Sequence, residues 1–274
     1  MKFFVHVLLI GVLLSSCSSK FSKVMKSKDS EYKLKMAEQF YANKKYSYAQ
    51  QLFDDLFPTM KGKEGYEDAF YKYAYCAYYQ KDWLNAENLF KTYIETFPNS
   101  PRAEECEYMR AYTFYKQSPK VDLDQTNTTK AIALMQAFIT THPTSERSKE
   151  ATEIIAKLRQ KLELKEFKTA ELYYNLGHFK SAATSFGTLI DNYPDSDKGD
   201  NYMLYKIKSS YKYAEMSFYD KQEERFEKVI TACGEFKDRF PDSKLLAEVE
   251  EFKTHSTHNI KKIHNEQAQA TTQR

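Results

Sequence analysis

Apolar residues recur every three or four positions along most of the chain, and the rhythm breaks at regular places. The stretch Glu163–Pro194 shows the unit most clearly. Leu164, Phe167, Ala170 and Tyr174 fall on one stripe. After a break at Gly177, Phe179, Ala182, Ala183, Phe186, Leu189, Ile190 and Tyr193 fall on another. Spacings of i, i+3, i+4 and i+7 are those of an amphipathic helix, so the stretch predicts two helices joined by a turn. Gly177 supplies the left-handed backbone that ends the first helix. Pro194, which has no amide to continue the ladder, ends the second. Ala170 and Ala182 are small where two antiparallel helices would cross, and Tyr173 and Phe186 fill the space beside them.

The same unit predicts four more pairs. Glu31–Tyr41 and Tyr46–Phe57 form the first, with Ala37 and Ala49 at the crossing, Phe40 and Phe53 beside them, and an early stop at Pro58. The second runs through Gly65–Gln80 and Trp83–Phe97, with Ala74, Ala86 and Phe90 in register. The third joins Arg102–Lys116, a loop at Gln117–Thr128, and a helix carrying Ala131, Met135 and Phe138. A helical stretch from Glu146 leads into the template pair. The fifth pair uses Asn201–Phe218, with Ser210 and Tyr213, and Glu223–Phe240, with Val229 and Cys233. A last helix near Lys244–His264 covers the open apolar edge, as terminal repeats require, and residues 266–274 form a polar tail.

Small residues at the crossing, an aromatic beside them and a closing proline are the pattern of a tetratricopeptide repeat of ~34 residues. The fold class expected is therefore all-α: an α-solenoid of about five irregular repeats with a C-terminal capping helix. The closing motif recurs as Phe97-Pro98-Asn99-Ser100, His142-Pro143-Thr144-Ser145, Tyr193-Pro194-Asp195-Ser196 and Phe240-Pro241-Asp242-Ser243. Its serine is placed to accept from the free amides of the next helix. The four prolines stand 45, 51 and 47 residues apart, so the repeats carry loops or helix extensions. Residues 31–143 hold repeats one to three; residues 144–265 hold repeats four and five with the cap.

Composition narrows the class. With only 7 Gly and 7 Pro in 274 residues, an all-β chain rich in tight turns is disfavoured. A net charge of +3 gives no electrostatic case for nucleic acid. Residues 1–16 begin Met1-Lys2, continue as an apolar run from Phe3 to Leu14, and end Leu14-Ser15-Ser16 before Cys17: a secretory signal too short to span a membrane comfortably. Residues 17–30 read as a tether whose Lys20, Lys23, Lys26 and Lys28 either attract anionic lipid headgroups or are simply solvated.

Leu-Ser-Ser-Cys resembles a bacterial lipobox. The resemblance implies a thioether-linked diacylglycerol on Cys17, cleavage before it and acylation of the new amine. Two or three chains together hold a protein on a membrane. Ser18-Ser19 lacks the aspartate that retains many lipoproteins at the inner membrane, which implies the outer membrane; no acidic cluster follows Cys17 to signal export to the cell surface, so the periplasmic side is expected.

Candidate chemistry lies in one helix. Phe70, Tyr71, Tyr73, Tyr75, Tyr78 and Tyr79 point in most directions, so some rings are expected outside the core, where they could hold an aromatic-rich peptide. The alternative is core packing. Cys76, Cys106 and Cys233 remain once Cys17 is modified; an odd number does not complete a disulfide set, and all three read as small buried residues, although one pair could be bridged. His255 and His258, with His264 beyond, lack the ligand set of a metal site. Asp54-Asp55 and Glu104-Glu105 are neighbours in sequence and diverge on a helix, so neither forms an acid–base pair. The sequence carries no glycine-rich phosphate loop and no nucleophile elbow. No catalytic residue, metal or cofactor is expected.

A lipobox followed by about five irregular repeats resembles the BamD family of outer-membrane β-barrel assembly lipoproteins. Tyr108-Met109-Arg110-Ala111 is similar to the start of that family's third repeat. Ala170-Glu171-Leu172-Tyr173-Tyr174, with Gly177 and Ala182, is similar to its fourth. The polar loop Val121-Asp122-Leu123-Asp124-Gln125 sits where the family has an acidic insertion. The resemblance implies a scaffold. Its carboxyl-terminal repeats dock the periplasmic domain of the barrel insertase, and its amino-terminal repeats receive unfolded outer membrane proteins through their aromatic-ended final strand. Two other classes share a lipobox and repeats: lipoproteins that organise the cell wall or division machinery, and carbohydrate-capture lipoproteins of transporters. The latter are usually longer.

Overall fold

The computed structural model describes residues 20–272. The signal segment and Cys17 lie outside the described residues. Among the described residues a helical stretch at 20–25 is followed by eleven helices: α1 Ser30–Ala42, α2 Tyr46–Met60, α3 Tyr66–Tyr79, α4 Trp83–Thr96, α5 Ala103–Gln117, α6 Thr126–Thr141, α7 Arg147–Asn175, α8 Phe179–Asn192, α9 Gly199–Glu215, α10 Tyr219–Arg239 and α11 Leu246–Thr272. No strand occurs among the described residues. Consecutive helices pack as antiparallel pairs, and the stretch from Glu146 does merge into the single long helix α7.

The chain divides into two compact units, Met1–Leu158 and Arg159–Arg274. The break expected after Pro143 falls instead inside α7. Its first half sends Ala151, Ile154, Ile155 and Leu158 into the first unit's core, beside Phe90, Met135 and Phe138. The second unit's core gathers Ala170, Ala182, Phe186, Ile207, Phe226, Val229 and Phe236.

The crossing residues sit at the centres of these cores. Ala37, Ala49, Phe53, Ala74, Ala86, Phe90, Ala131, Met135, Ala170, Ala182 and Phe186 are fully buried. Tyr173 is the exception, at 38% exposure. One helical residue turns the chain by ~100°, and here the inward position falls to Tyr174, which packs edge-on against Phe179 and Tyr205.

Three further expectations are corrected. Residues 20–25 are helical, not a free tether. Val24 is buried, and Phe21 stacks on Tyr48 at 4.5 Å and meets the edge of Phe40 at 6.1 Å. Phe21, Val24 and Met25 form an apolar i, i+3, i+4 stripe amid serines and lysines. Pro58 does not stop α2, which runs to Met60; so near the helix end the proline forfeits only one ladder bond. The polar tail continues α11 to Thr272, because Glu266, Gln267, Ala268, Gln269 and Ala270 are all compatible with a helix and mostly favour it.

The turns inside three of the pairs, the first, second and fourth, are built alike. Lys45 N–H donates to Phe40 O (2.8 Å) and Lys44 N–H to Tyr41 O (2.9 Å). Asp82 and Lys81 repeat this with Ala77 and Tyr78, as do His178 and Gly177 with Tyr173 and Tyr174. This is the Schellman arrangement, whose penultimate residue is left-handed. Gly177 meets that demand at φ 76°, but Lys44 and Lys81 are forced to φ 58° and 62°. The left-handed region costs a residue with a Cβ ~1–2 kcal/mol, partly offset by glycine's greater freedom when unfolded. Lys81→Gly is therefore expected to stabilise the first unit by up to ~1 kcal/mol, read as a higher denaturant midpoint at unchanged slope. An unchanged or lower midpoint would refute the strain.

The closing motifs are also alike. Before each proline, Phe97, His142, Tyr193 and Phe240 have φ between −125° and −131°, away from the helical region that the proline ring disfavours. Each serine then does two things. Its Oγ accepts from the amide two residues on: Arg102, Arg147, Lys198 or Leu245, at 3.0–3.2 Å. The same hydroxyl donates to a carboxylate near the start of its own repeat. Ser100 reaches Glu67 (2.6 Å), Ser145 reaches Glu104 (2.6 Å), Ser196 reaches Glu163, and Ser243 reaches Asp200 (2.7 Å). Tyr93 also donates to Glu67 and Tyr202 to Glu163. The Ser100 and Tyr93 hydroxyls hold the Glu67 carboxyl below its ordinary range. These bonds favour the ionised form, so their stabilisation is present above the usual glutamate pKa and is lost as pH falls through the depressed one.

Cys76, Cys106 and Cys233 are free and buried, and burial pushes each thiol up to about 12. A neutral, enclosed thiol is a poor nucleophile. At pH 8 the native chain is expected to resist iodoacetamide until denaturant is added, when three equivalents react from these positions. Rapid native labelling, followed by mass spectrometry, would contradict this burial.

Candidate peptide-binding face

Helix α3 places an aromatic ring at nearly every turn of the first unit, and the structure divides them by what each touches. Phe70 and Tyr75 are 7% exposed and belong to the core, so neither is available to a partner, contrary to expectation. Tyr71 and Tyr75, one turn apart, converge on Glu105 of α5: Tyr71 donates to Oε2 at 2.8 Å and Tyr75 to Oε1 at 2.7 Å. Arg147 donates to the same Oε1 at 2.9 Å, and the Arg102 guanidinium lies 4.5 Å over the Tyr71 ring. Burial, then the Glu105 bond, push the Tyr71 phenol up to about 12, so it stays a donor. Tyr73 donates to Asp54 at 3.2 Å and meets the edge of Phe57. These three phenols join α3 to its neighbours.

Tyr78 and Tyr79, at the end of α3, remain at the surface with rings the sequence reading passed over. Tyr79 is 45% exposed and stacks on Tyr46 at 4.5 Å with Tyr41 nearby at 6.5 Å. Tyr78 contacts Tyr79 at 5.5 Å, Trp83 at 5.4 Å and Tyr112 at 6.4 Å. Tyr112 continues to Tyr115 at 5.4 Å, under the Lys116 ammonium. Tyr46, Tyr79, Tyr78, Tyr112 and Tyr115 thus form a row of adjoining rings, each at least partly open to solvent, across three repeats. A signal for part of this row was present. Tyr46 and Trp83 each open the second helix of a pair, three residues before its crossing alanine, as Phe179 does in the template.

The adjacent acid pairs diverge as expected. Asp54 accepts from Tyr73 and Asp55 from Lys33, whereas Glu104 takes Ser145 and Glu105 takes the tyrosine pair. His264 pairs with Glu223 at 2.6 Å. Among the described residues no group of His, Cys, Asp and Glu is arranged to hold a metal.

Helix pairs crossing at alanines and closed by proline turns define a tetratricopeptide-repeat protein of the all-α class. Within that class the chain belongs to the YfiO family, described as outer membrane lipoprotein, whose profile matches residues 26–228; this is the BamD family that the sequence resembles. No curated protein sequence matches the chain. Among solved structures it is similar to the TPR2AB-domain:pHSP90 complex of yeast Sti1, at 11% identity over 83% of this chain and 98% of that one, TM-score 0.41. It is also similar to a TPR repeats protein of Bacteroides fragilis, at 14% identity over 85% and 100%, TM-score 0.40. No helix among the described residues is long and apolar enough to cross a membrane.

Proposed function

We propose that this chain is a lipid-anchored scaffold on the periplasmic side of the outer membrane that promotes insertion of β-barrel proteins. Cys17 carries the lipid. The carboxyl-terminal repeats bind the periplasmic domain of the insertase, and the amino-terminal repeats hold unfolded barrel proteins on the tyrosine row. Membership of an outer membrane lipoprotein family supports the anchor and the compartment. The observation that carries the binding role is the row itself: adjoining rings left open to solvent suit an extended segment ending in an aromatic residue, through ring contact and phenol hydrogen bonds. The role is one of holding and presenting; no residue is assigned to catalysis, and no cofactor or nucleic acid is involved.

Tyr46→Ala/Tyr79→Ala is expected to weaken binding of a peptide ending in phenylalanine by roughly 10- to 100-fold, the scale of losing central aromatic contacts. Tyr73→Phe should change it little. Fluorescence anisotropy, with the same peptide ending in alanine as comparison, reads the difference. Equal affinity for both peptides would sink the tyrosine assignment. Crosslinked membranes, with this chain as bait and Cys17→Ala as control, test the partners. Recovery of wall synthases or a nutrient transporter without an insertase would overturn the assembly role.

A further inference from the structure

The helical stretch at residues 20–25 does more than cover the first repeat. Its apolar side, Phe21, Val24 and Met25, is packed against α1 and α2. Lys20 and Lys23 of the stretch, and Lys26 and Lys28 in the turn and link that follow it, remain exposed, with Asp29 the only acid in residues 20–29. Asp29 is occupied as the cap of α1, accepting from Tyr32 N–H at 3.0 Å. Among the described residues none of the four lysines forms an ion pair, whereas Lys33, just beyond them, is held by Asp55 at 2.5 Å. The lysines therefore form a fixed cationic collar.

Covalent geometry adds an independent constraint. Lys20 is three steps along the chain from Cys17, and an extended chain covers at most about 3.6 Å per residue. The collar thus starts within about 11 Å of the lipid attachment point, close to the Debye length of about 8 Å at physiological salt.

We infer that Lys20, Lys23, Lys26 and Lys28 form a binding surface for anionic phospholipid headgroups, which seats the first repeat directly on the membrane. The placement rests on the lipidation of Cys17 proposed above, but the surface itself is a property of the folded chain. Being fixed, the collar sets an orientation: with the 20–25 helix against the headgroups, the first repeat has one side committed to the bilayer.

The test uses the mature chain carrying Cys17→Ser, which removes the anchor and isolates the surface. Its partition onto vesicles of 30% phosphatidylglycerol in phosphatidylcholine is measured by sedimentation, against phosphatidylcholine alone. Binding should require the anionic lipid and vanish in 0.5 M NaCl. Lys23→Gln/Lys26→Gln should lower the partition coefficient roughly 30-fold, while Lys61→Gln/Lys63→Gln, exposed lysines elsewhere in the same unit, should leave it nearly unchanged. Equal losses for the two pairs would reduce the effect to net charge and overturn the inference, as would equal binding to both vesicle types or no binding to either. Mass analysis of the native amino terminus reports the lipidation separately, so failure of that reading is distinguishable from failure of this one.

Discussion

Phe186→Ala is expected to destabilise the second unit by about 3–5 kcal/mol, the range for removing a fully buried phenylalanine ring. The ring is 0% exposed, stacks on Tyr205 at 5.2 Å and meets Phe167 at 5.9 Å. Its neighbours at the crossing, Ala170 and Ala182, are too small to move into the space it leaves. Typical domains are stable by only ~5–15 kcal/mol, so the variant should stand near the limit of folding. Phe186→Leu, which keeps most of the volume, should lose much less. Denaturant unfolding followed by circular dichroism measures both. A loss below ~1 kcal/mol for alanine would mean that the crossing can collapse, against the fixed spacing argued here.

Glu163→Ala should cost about 2–4 kcal/mol, for a different reason. Glu163 is buried at 9% exposure, and its Oε1 accepts from both Ser196 and Tyr202, the latter at 2.7 Å with Tyr202 only 2% exposed. Truncation removes two charge-assisted bonds, each worth ~1.5–3 kcal/mol, and leaves the buried Tyr202 phenol with only the Ser196 hydroxyl beside it. Glu163→Gln keeps an amide oxygen where both donors point and should recover more than half of the loss. Ser196→Ala removes only one partner and should cost nearer ~1 kcal/mol. Because the three groups share one oxygen, the effects of Ser196→Ala and Glu163→Ala should not add. Strict additivity in that double-mutant cycle would show that the serine and the glutamate stabilise the fold independently.

The helices and turns were readable in advance because their signals are local. An alanine at a crossing, a proline at a closure and a glycine in a left-handed turn each report on their own backbone or nearest neighbour. The carboxylates that receive the closing serines lie 33 to 43 residues away; half of each motif was visible, and the partner depends on how the repeat folds back. The α3 tyrosines failed for another reason. A helix with rings at Phe70, Tyr71, Tyr73, Tyr75, Tyr78 and Tyr79 has no clean apolar stripe, so periodicity could not separate Tyr75, facing the core, from Tyr79, facing solvent. Tyr173 and Tyr174 present the same problem in one step. The helical stretch at residues 20–25 was hidden by composition: its Phe21, Val24 and Met25 stripe is short, and serine and lysine around it read as linker.

The serine–carboxylate closures have a consequence for how such a chain can change. Each closure completes a loop of covalent chain: 33 residues from Glu67 to Ser100, 41 from Glu104 to Ser145, 33 from Glu163 to Ser196 and 43 from Asp200 to Ser243. The extra length is taken up inside the loop, by the segment between α5 and α6 in one case and by the longer α9 and α10 in the other. At the closure itself, the hydroxyl, the carboxylate and the following amide keep the same relation. A repeat can therefore grow within its own clasp without altering the end it presents to the next one. Foreign sequence placed between Ser118 and Asp124 should be absorbed as a local bulge, while the same residues placed between Ser145 and Arg147 would shift everything downstream.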